Sequence, residues 1–314
     1  MWAEVLKKSY GYRPLYFVAF GDKGICALLP VMEVKSILTG RRGVSLPFTD
    51  YCEPIISEGV SFEEVFNFVT TEGKKRDWNY IELRYCRNPS PLSFPSSTYL
   101  SHTLPLRKGD DSVFKGLRDS TKRNIKKAMG EGVEVKISDQ PKSMEQFYRL
   151  NSVTRKRHGL PPQPFSFFKN VLELVIRKGH GIVVLALYQG KAIAASVFFH
   201  LGKKAIYKYG ASDLTYQNLR ANNLVMWEAI KWYSRNGYKS LCFGRTEPEN
   251  QGLIQFKSGW GTTGHSINYY KYDFKKEAFV PGRSRTSGFH NRIFKNMPVP
   301  ILNRVGALLY RHFA

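Results

Sequence analysis

The sequence predicts a mixed α/β fold in two units. Three observations carry that expectation. Between residues 181 and 210, three strand-like runs follow one another with only tight turns between them, which makes that stretch an antiparallel meander. A helix-period stretch and a further strand come next, the mark of a crossover added to the meander. A chain of 314 residues also has the length of about two domains. Strands and helices do not alternate regularly, so a Rossmann or TIM design is not expected.

In the first unit, residues 14–20 form a β-rich run, Gly21-Asp22-Lys23-Gly24 a hairpin turn, and residues 25–32 the returning strand. Residues 62–72 have helical spacing, with Ser61 as N-cap and Glu63 and Glu64 in the first turn. Residues 80–85 read as another strand. Residues 88–97, rich in Pro and Ser, read as a loop and a domain joint.

The second unit begins near residue 105. A basic helix is expected over 111–130, a strand over 133–137, helices over 143–157 and 167–178, and strands over 181–188, 192–200 and 204–210. A helix over 223–236, stopped by Gly237, and a short strand over 238–243 complete it. The resulting division is 1–104, 105–275 and a basic tail, 276–314, with an amphipathic helix over 301–313. No repeat on the scale of 20–50 residues is visible.

Lys and Arg number 48 against 25 Asp and Glu, a formal charge of +23. So large an excess asks for an anionic partner: a nucleic acid, a lipid headgroup or a phosphorylated small molecule. The four cysteines, Cys26, Cys52, Cys86 and Cys242, have no zinc-like spacing and suit the reduced side chains of an intracellular protein. The first residues have no apolar core of a signal peptide, and no run nears the ~20 apolar residues of a membrane helix. A cytoplasmic protein follows, with room for peripheral contact at the inner membrane face. Such contact would use Arg283, Arg285, Arg292, Lys295, Arg304 and Arg311 for attraction and Ile301, Leu302, Val305, Leu308 and Leu309 as the apolar face. Packing of that helix on the first domain is the plainer alternative.

Three stretches carry a resemblance. The first is Leu117-Arg118-Asp119-Ser120-Thr121-Lys122-Arg123-Asn124-Ile125-Lys126-Lys127-Ala128 with Gly132-Val133-Glu134-Val135. The second is Phe243-Gly244-Arg245-Thr246, Gly252, Phe256-Lys257 and Trp260-Gly261. The third is residues 297–306, Met-Pro-Val-Pro-Ile-Leu-Asn-Arg-Val-Gly. Together they resemble the FemAB family of peptidoglycan-bridge aminoacyltransferases, and within it the subgroup associated with exosortase and exopolysaccharide loci. Residues 46–51, Leu-Pro-Phe-Thr-Asp-Tyr, are similar to the family's N-terminal loop. The resemblance implies tandem GNAT-like acyltransferase domains, the first one reduced. Residues 1–13 resemble a point already inside the family's first domain, so an N-terminal piece is expected to be missing or reduced.

The same resemblance implies amide-bond formation on an amine of a peptidoglycan or exopolysaccharide precursor. Lys257 would sit beside the oxyanion of the tetrahedral intermediate, where a cation lowers the barrier directly, and Phe256 would stack on the donor. Direct attack in a ternary complex is expected, because no activated Ser or Cys is visible. Arg245, at a strand end, suits a phosphate or carboxylate. An ion pair with Glu247 or Glu249 is its alternative. GNAT acetyltransferases hold a glycine-rich, pyrophosphate-binding loop ahead of the main helix; here that position reads Tyr216-Gln217-Asn218-Leu219-Arg220-Ala221-Asn222, without glycine. The departure points away from acetyl-CoA toward an aminoacyl-tRNA, leaving both donors open. In this loop Asn222 is expected as N-cap and Arg220 as a phosphate contact.

Lys115, Arg118 and Lys122 share one face of the basic helix, and with Arg123, Lys126 and Lys127 suit tRNA or a lipid-linked pyrophosphate. Tyr209, two residues from Tyr207 on one strand, is a groove-lining candidate on the face they would share. Asp50 is a substrate-binding candidate. The general base is left among Asp50, Asp213 and Glu247. No metal motif, GxSxG or P-loop is present, and no tightly bound cofactor is expected. The partner is an anionic or phosphorylated substrate: tRNA, or a nucleotide- or lipid-linked precursor. Two non-enzymatic alternatives fit the charge and the 44 aromatic residues (21 Phe, 18 Tyr and 5 Trp): an RNA-binding module, or a scaffold for polysaccharide machinery.

Overall fold

The computed structural model describes residues 1–22, 24–85, 94–106, 109–282 and 289–313. Lys23, Cys86, residues 88–93 of the expected joint, and Arg283 and Arg285 of the tail lie outside these. The chain forms two compact units. One takes Met1–Leu100, Ser266–Thr286 and Leu309–Ala314; the other takes Ser101–His265 and Ser287–Leu308.

The first unit opens with a helix that the sequence reading did not anticipate, α1 (Trp2–Tyr10), closed by Gly11 in the left-handed region at φ 73°. β1 (Arg13–Gly21) and β2 (Gly24–Ser36) form the expected hairpin, longer than its apolar runs alone suggest, with Pro14 opposite Met32 and Gly21 opposite Gly24. β3 (Gly40–Val44), the short β4 (Ile55–Ile56), α2 (Phe62–Lys75) and β5 (Tyr80–Tyr85) follow. The α2 N-cap is Ser61, whose side chain accepts from the Glu63 amide. The core under α2 comprises Phe17, Leu29, Val31, Phe66, Val69, Trp78, Ile81 and Tyr270.

β6 (Ser97–Pro105) leads into the second unit. The expected single helix over 111–130 is two, α3 (Gly109–Gly116) and α4 (Asp119–Gly130). Arg118 is extended at φ −60° and ψ 142°, and the neighbouring Leu117 is 3% exposed. Burying that leucine in the core costs the helix its continuity, so Lys115 does not share a helix face with Arg118 and Lys122. β7 (Glu134–Ser138), α5 (Pro141–Arg157) and α6 (Phe165–Val171) come next, α6 running on through a wide, π-type stretch over Leu172–His180. Then stand β8 (Gly181–Tyr188), β9 (Lys191–Leu201), β10 (Lys204–Ser212), α7 (Ala221–Arg235), β11 (Ser240–Thr246) and α8 (Gln251–Ser258). β12 (Thr263–Asp273) returns the chain to the first unit, where it pairs with β5 and with β13 (Ala278–Phe279). α9 (Phe289–Asn296) and α10 (Val299–Leu309) follow, and a short 3-10 turn over Tyr310–His312 comes after them.

Within the first unit the strand order is β1-β2-β3-β5-β12, and within the second β6-β11-β10-β9-β8-β7. β7 through β10 pair antiparallel, as the meander predicts, and β10 meets β11 in parallel after the α7 crossover. The apolar runs of β8 and β9 are buried along most of their length because helices cover both faces. Phe198, Val184, Leu224, Ile230, Tyr233 and Trp260 belong to the core shared with α4 and α7, while α5 and α6 bring Phe147, Phe167 and Phe168 against Tyr209.

α10 is held by its small face: an added Cβ on Gly306 would stand 2.0 Å from the Pro162 carbonyl oxygen. That contact is with the loop after α5, in the same unit as most of α10. Ile301 and Leu308 are 50% and 70% exposed. No helix of the described residues is long and apolar enough to cross a membrane.

Candidate active site

The geometry of interest lies where β10 and β11 part. They pair only from Lys204–Ser240 to Ile206–Cys242. Beyond that, β10 carries an irregularity between Tyr207 and Tyr209, which face Phe198 and Val197 of β9, so that Lys208 is an inserted residue. The insertion overturns the expectation that Tyr207 and Tyr209 share a face. Tyr207 packs on the α7 side against Phe198, and Tyr209 packs among Phe147, Phe167, Phe168 and Phe199. A parallel pair that separates at its C-terminal end leaves a wedge there, the place where α/β sheets receive ligands.

β11 ends in Gly244, with φ 71°, then Arg245 and Thr246. Lys257 is 2% exposed and sends its Nζ to the Gly244 carbonyl at 2.8 Å and the Arg245 carbonyl at 3.1 Å. The ammonium is thereby fixed at the end of β11 by α8. Phe256, one residue earlier, lies partly buried against Trp260, with ring centroids 6.0 Å apart. Trp260 is fully buried and also packs on Phe243.

α8 is anchored at both ends. The Asn250 side chain accepts from the Leu253 amide at 3.1 Å, an N-cap. At the other end Arg118 donates to the Gln255 carbonyl at 3.3 Å and to Ser258 Oγ at 3.1 Å, while its own amide donates to Gly259 O. Two of the three sequence stretches that carried the resemblance therefore meet in space, one ending the helix that bears the lysine of the other. Asn250→Ala is expected to cost about 1 kcal/mol, read as a lower urea midpoint with unchanged slope.

Around the loop before α7, four amides are spent internally. Asp213 caps Thr215 through its side chain, and the amides of Tyr216, Arg220 and Asn223 go to the carbonyls of Asp213, Gln217 and Arg220. The helix begins earlier than expected, at Ala221. Its N-cap is Arg220, in the left-handed region at φ 56° and exposed, and Asn222 is inside the first turn. Asn222 therefore does not cap; its Nδ2 donates to Ser212 Oγ at 3.1 Å. Arg123 and Lys127 stand on the exposed side of α4, opposite the buried Thr121, Ile125 and Ala128. Asp50 belongs to the first unit, where its carbonyl accepts from the Tyr269 hydroxyl at 2.7 Å. Leu46 and Phe48 of the same loop have positive φ, 42° and 60°, which non-glycine residues adopt at a cost.

The sequence reading missed His102 on β6. It is 6% exposed, and its Nδ1 has no hydrogen-bond partner among the described residues. Burial, then the charges of Lys257 and His265, hold its pKa below the ordinary histidine value. The residue carries no recognisable motif; a histidine amid Leu104 and Leu106 on one strand face is the only signal. Its lowered pKa means that the unfolded chain binds a proton before the folded one does as pH falls. Stability is thus expected to drop on acidification below about pH 6.5. His102→Asn should make that limb shallower by one histidine's share in thermal melts between pH 5 and 7.5.

Cys26, Cys52 and Cys242 form no disulfide among the described residues, and burial pushes the Cys52 thiol up to about 12, away from reactivity. Among the described residues no group of three or more His, Cys, Asp or Glu stands together as a metal site.

Residues 115–258 match the family described as the acetyltransferase (GNAT) domain. The chain is 18% identical to the Lipid II:glycine glycyltransferase of Staphylococcus haemolyticus (strain JCSC1435), over 50% of this chain and 54% of that one. It spans about half the length of the curated relatives it matches. The crystal structure of FemX shares the fold with a TM-score of 0.65 at 14% identity, covering 87% of this chain and 90% of that one. A tandem GNAT protein from the clavulanic acid biosynthesis pathway does so with a TM-score of 0.58 at 9% identity, covering 84% and 83%. Sheet order, the parting of β10 from β11, and these likenesses agree: the chain has the fold of FemX and of a tandem GNAT protein, and residues 115–258 match the acetyltransferase (GNAT) domain.

Proposed function

We propose that the protein is an acyltransferase that moves an acyl or aminoacyl group onto an amine of a cell-envelope precursor. The observation that carries this reading is the buried Lys257 ammonium, fixed at the end of β11 beyond the point where β10 leaves it. A Lipid II:glycine glycyltransferase among its relatives supports a lipid-linked precursor as acceptor, and a UDP-N-acetylmuramoylpentapeptide-lysine N(6)-alanyltransferase supports a nucleotide-linked one. The acceptor nitrogen attacks the donor carbonyl, a C–N bond forms, and the donor C–O or C–S bond breaks. The amine proton leaves to a base, and the departing oxygen or sulfur takes a proton up. Lys257 stabilises the oxyanion between these events, and Phe256, Arg245, Arg220 and Tyr209 are the donor- and substrate-binding candidates around it.

GNAT domains as a class use acyl-CoA. In this chain the loop before α7 lacks glycine and has committed the amides of Thr215, Tyr216, Arg220 and Asn223, which favours an aminoacyl-tRNA donor over a CoA pyrophosphate. The likeness of residues 243–261 and 297–306 to the exosortase-associated subgroup favours an exopolysaccharide precursor as acceptor. Exposed Ile301 and Leu308 beside Arg304 suit peripheral contact with an anionic inner membrane face from the cytoplasm.

Thermal shift with acetyl-CoA, longer acyl-CoAs, an aminoacyl-tRNA mimic and UDP-linked peptides tests the reading. A ligand at ~100 times its Kd adds about 2.7 kcal/mol. Stabilisation by the tRNA mimic and a UDP-linked precursor is expected. Stabilisation by acyl-CoA alone overturns the donor assignment and keeps the transferase; silence toward every donor and acceptor overturns the transferase.

A further inference from the structure

At the end of the sheet where β8 and β11 begin, away from the wedge, lies a cavity of about 400 Å³. Small-molecule sites occupy roughly 300–1,000 Å³. One wall is aromatic: Trp232 near the end of α7, Tyr238 just before β11 and His200 on β9. Ile176 and Ile182 add apolar surface, and the exposed Asp139, in the link between β7 and α5, lines it as well.

The three rings are locked together. Their centroids lie 5.9 Å apart for His200 and Trp232, 6.1 Å for Trp232 and Tyr238, and 5.0 Å for His200 and Tyr238. His200 Nε2 is 2.9 Å from the Gly179 carbonyl oxygen, and its Nδ1 is 3.1 Å from the Tyr233 hydroxyl. A carbonyl only accepts, so Nε2 carries the proton. Burial holds the His200 pKa below the ordinary histidine value, which leaves Nδ1 to accept from Tyr233. Both ring nitrogens are thus used within the fold, and His200 serves as wall. Other polar groups are left over. The Trp232 indole N–H and the Tyr238 hydroxyl, on partly buried side chains, form no hydrogen bond among the described residues. Asp139 Oδ1 accepts from the Gln140 side-chain amide at 2.8 Å, and Oδ2 has no partner among the described residues.

These features select a ligand class. Asp139 is the one formally charged residue of the lining, an acid in a chain of +23, and it turns anions away. A cation held between facing rings needs them apart, whereas these are in contact with one another. Lys203 Nζ moreover already lies 6.0 Å from the Tyr238 ring centroid. What fits is a neutral molecule with an apolar face for the rings and hydroxyls for the carboxylate. A saccharide ring has both: its C–H face stacks on the aromatic wall, and neighbouring hydroxyls donate to Asp139.

We propose that Trp232, Tyr238 and Asp139 form a binding site for a neutral glycan. Ser240 and Thr246, the ends of β11, are about 20 Å apart at strand rise, so the site is separate from the wedge. The inference does not use the transferase reading. The probes are three uncharged tetrasaccharides, cellotetraose, maltotetraose and N-acetylated chitotetraose. Binding to the full chain is followed by saturation-transfer NMR, with affinities from calorimetry. The variants are Trp232→Ala, Tyr238→Phe, Asp139→Asn and, at the wedge, Arg245→Ala. Thermal melts check folding, and the exposed Asp139 supplies a variant that leaves the packing alone if Trp232→Ala does not fold.

At least one tetrasaccharide is expected to bind, with saturation strongest on ring C–H protons. Asp139→Asn and Trp232→Ala should each weaken it about tenfold or more, the size of losing a hydrogen bond to a charged group or a stacking partner. Tyr238→Phe should weaken it less, and Arg245→Ala should leave it unchanged. No binding by any of the three at millimolar concentration overturns the site. Binding that survives Asp139→Asn or a folded Trp232→Ala also overturns it, as does displacement of the sugar by tetramethylammonium or adenosine. Loss in Arg245→Ala alone puts the sugar at the wedge, which removes this site and leaves the transferase standing. Glycan binding lost in Asp139→Asn, in a protein that turns over no donor, keeps the site and removes the transferase.

Discussion

Lys257→Ala is expected to lower turnover by about 10²–10³-fold, the size of losing one preorganised oxyanion partner. Stability should fall with it. The ammonium is 2% exposed and serves the Gly244 and Arg245 carbonyls at 2.8 and 3.1 Å. Removing it strips a charged donor from two strand-end carbonyls, at about 2–4 kcal/mol in all. The two effects separate by measurement. Turnover is read at least 20 °C below the variant's own melting midpoint, and donor binding by thermal shift on the same protein. A catalytic lysine gives slow turnover with donor affinity within a few-fold of wild type. A lysine that only ties α8 to β11 gives a less stable protein with near-normal turnover while folded. The second result would reassign the conspicuous Phe-Lys pair to architecture.

How far the sequence discloses this arrangement depends on where each signal is stored. β8, β9, α2 and α5 are legible because their periodicity is local: Ile182 to Tyr188 is continuous apolar sequence, and Ser61 announces α2. β12 is hidden because its partner is β5: Asn268 pairs with Tyr85 across some 180 residues, and nothing near either announces the other. The break between α3 and α4 escapes helix spacing because Leu117 turns into the core for reasons set by α7 and the sheet. The faces of Tyr207 and Tyr209 invert on one inserted residue, and strict alternation cannot foresee a bulge. At the site, Lys257 stands out by its neighbours in sequence, yet its burial does not, since the carbonyls that hold it come from twelve and thirteen residues earlier. His102 is invisible for the reason β6 is: a strand reading Ser-Thr-Tyr-Leu-Ser-His-Thr-Leu-Pro has too few apolar residues to declare itself.

Trp260→Ala tests whether the lysine's platform is a packed unit. Trp260 is fully buried and its ring packs tilted against Phe243 of β11 and edge-on against Phe256 of α8, with centroids 6.2 and 6.0 Å apart. It packs on both the strand end and the helix, beside the Lys257 contacts to the Gly244 and Arg245 carbonyls. Emptying its place should cost about 3–5 kcal/mol, a drop of about 10 °C or more for a unit of this size, and α8 loses its seat. The indole Nε1 has no hydrogen-bond partner among the described residues. Shape alone should therefore be what the site asks of this residue. Trp260→Phe, which keeps a ring there and removes no made hydrogen bond, is expected to cost about 1–2 kcal/mol and to keep most of the turnover. Urea denaturation of both variants beside turnover decides the matter. If Phe is as costly as Ala, the indole N–H has a buried partner such as an ordered water, and the platform is held by a polar contact as well as by packing. If Phe is mild in stability but slow in turnover, the position of Lys257 depends on the full width of the indole, and tolerance for error in placing that ammonium is below the size difference between the two rings.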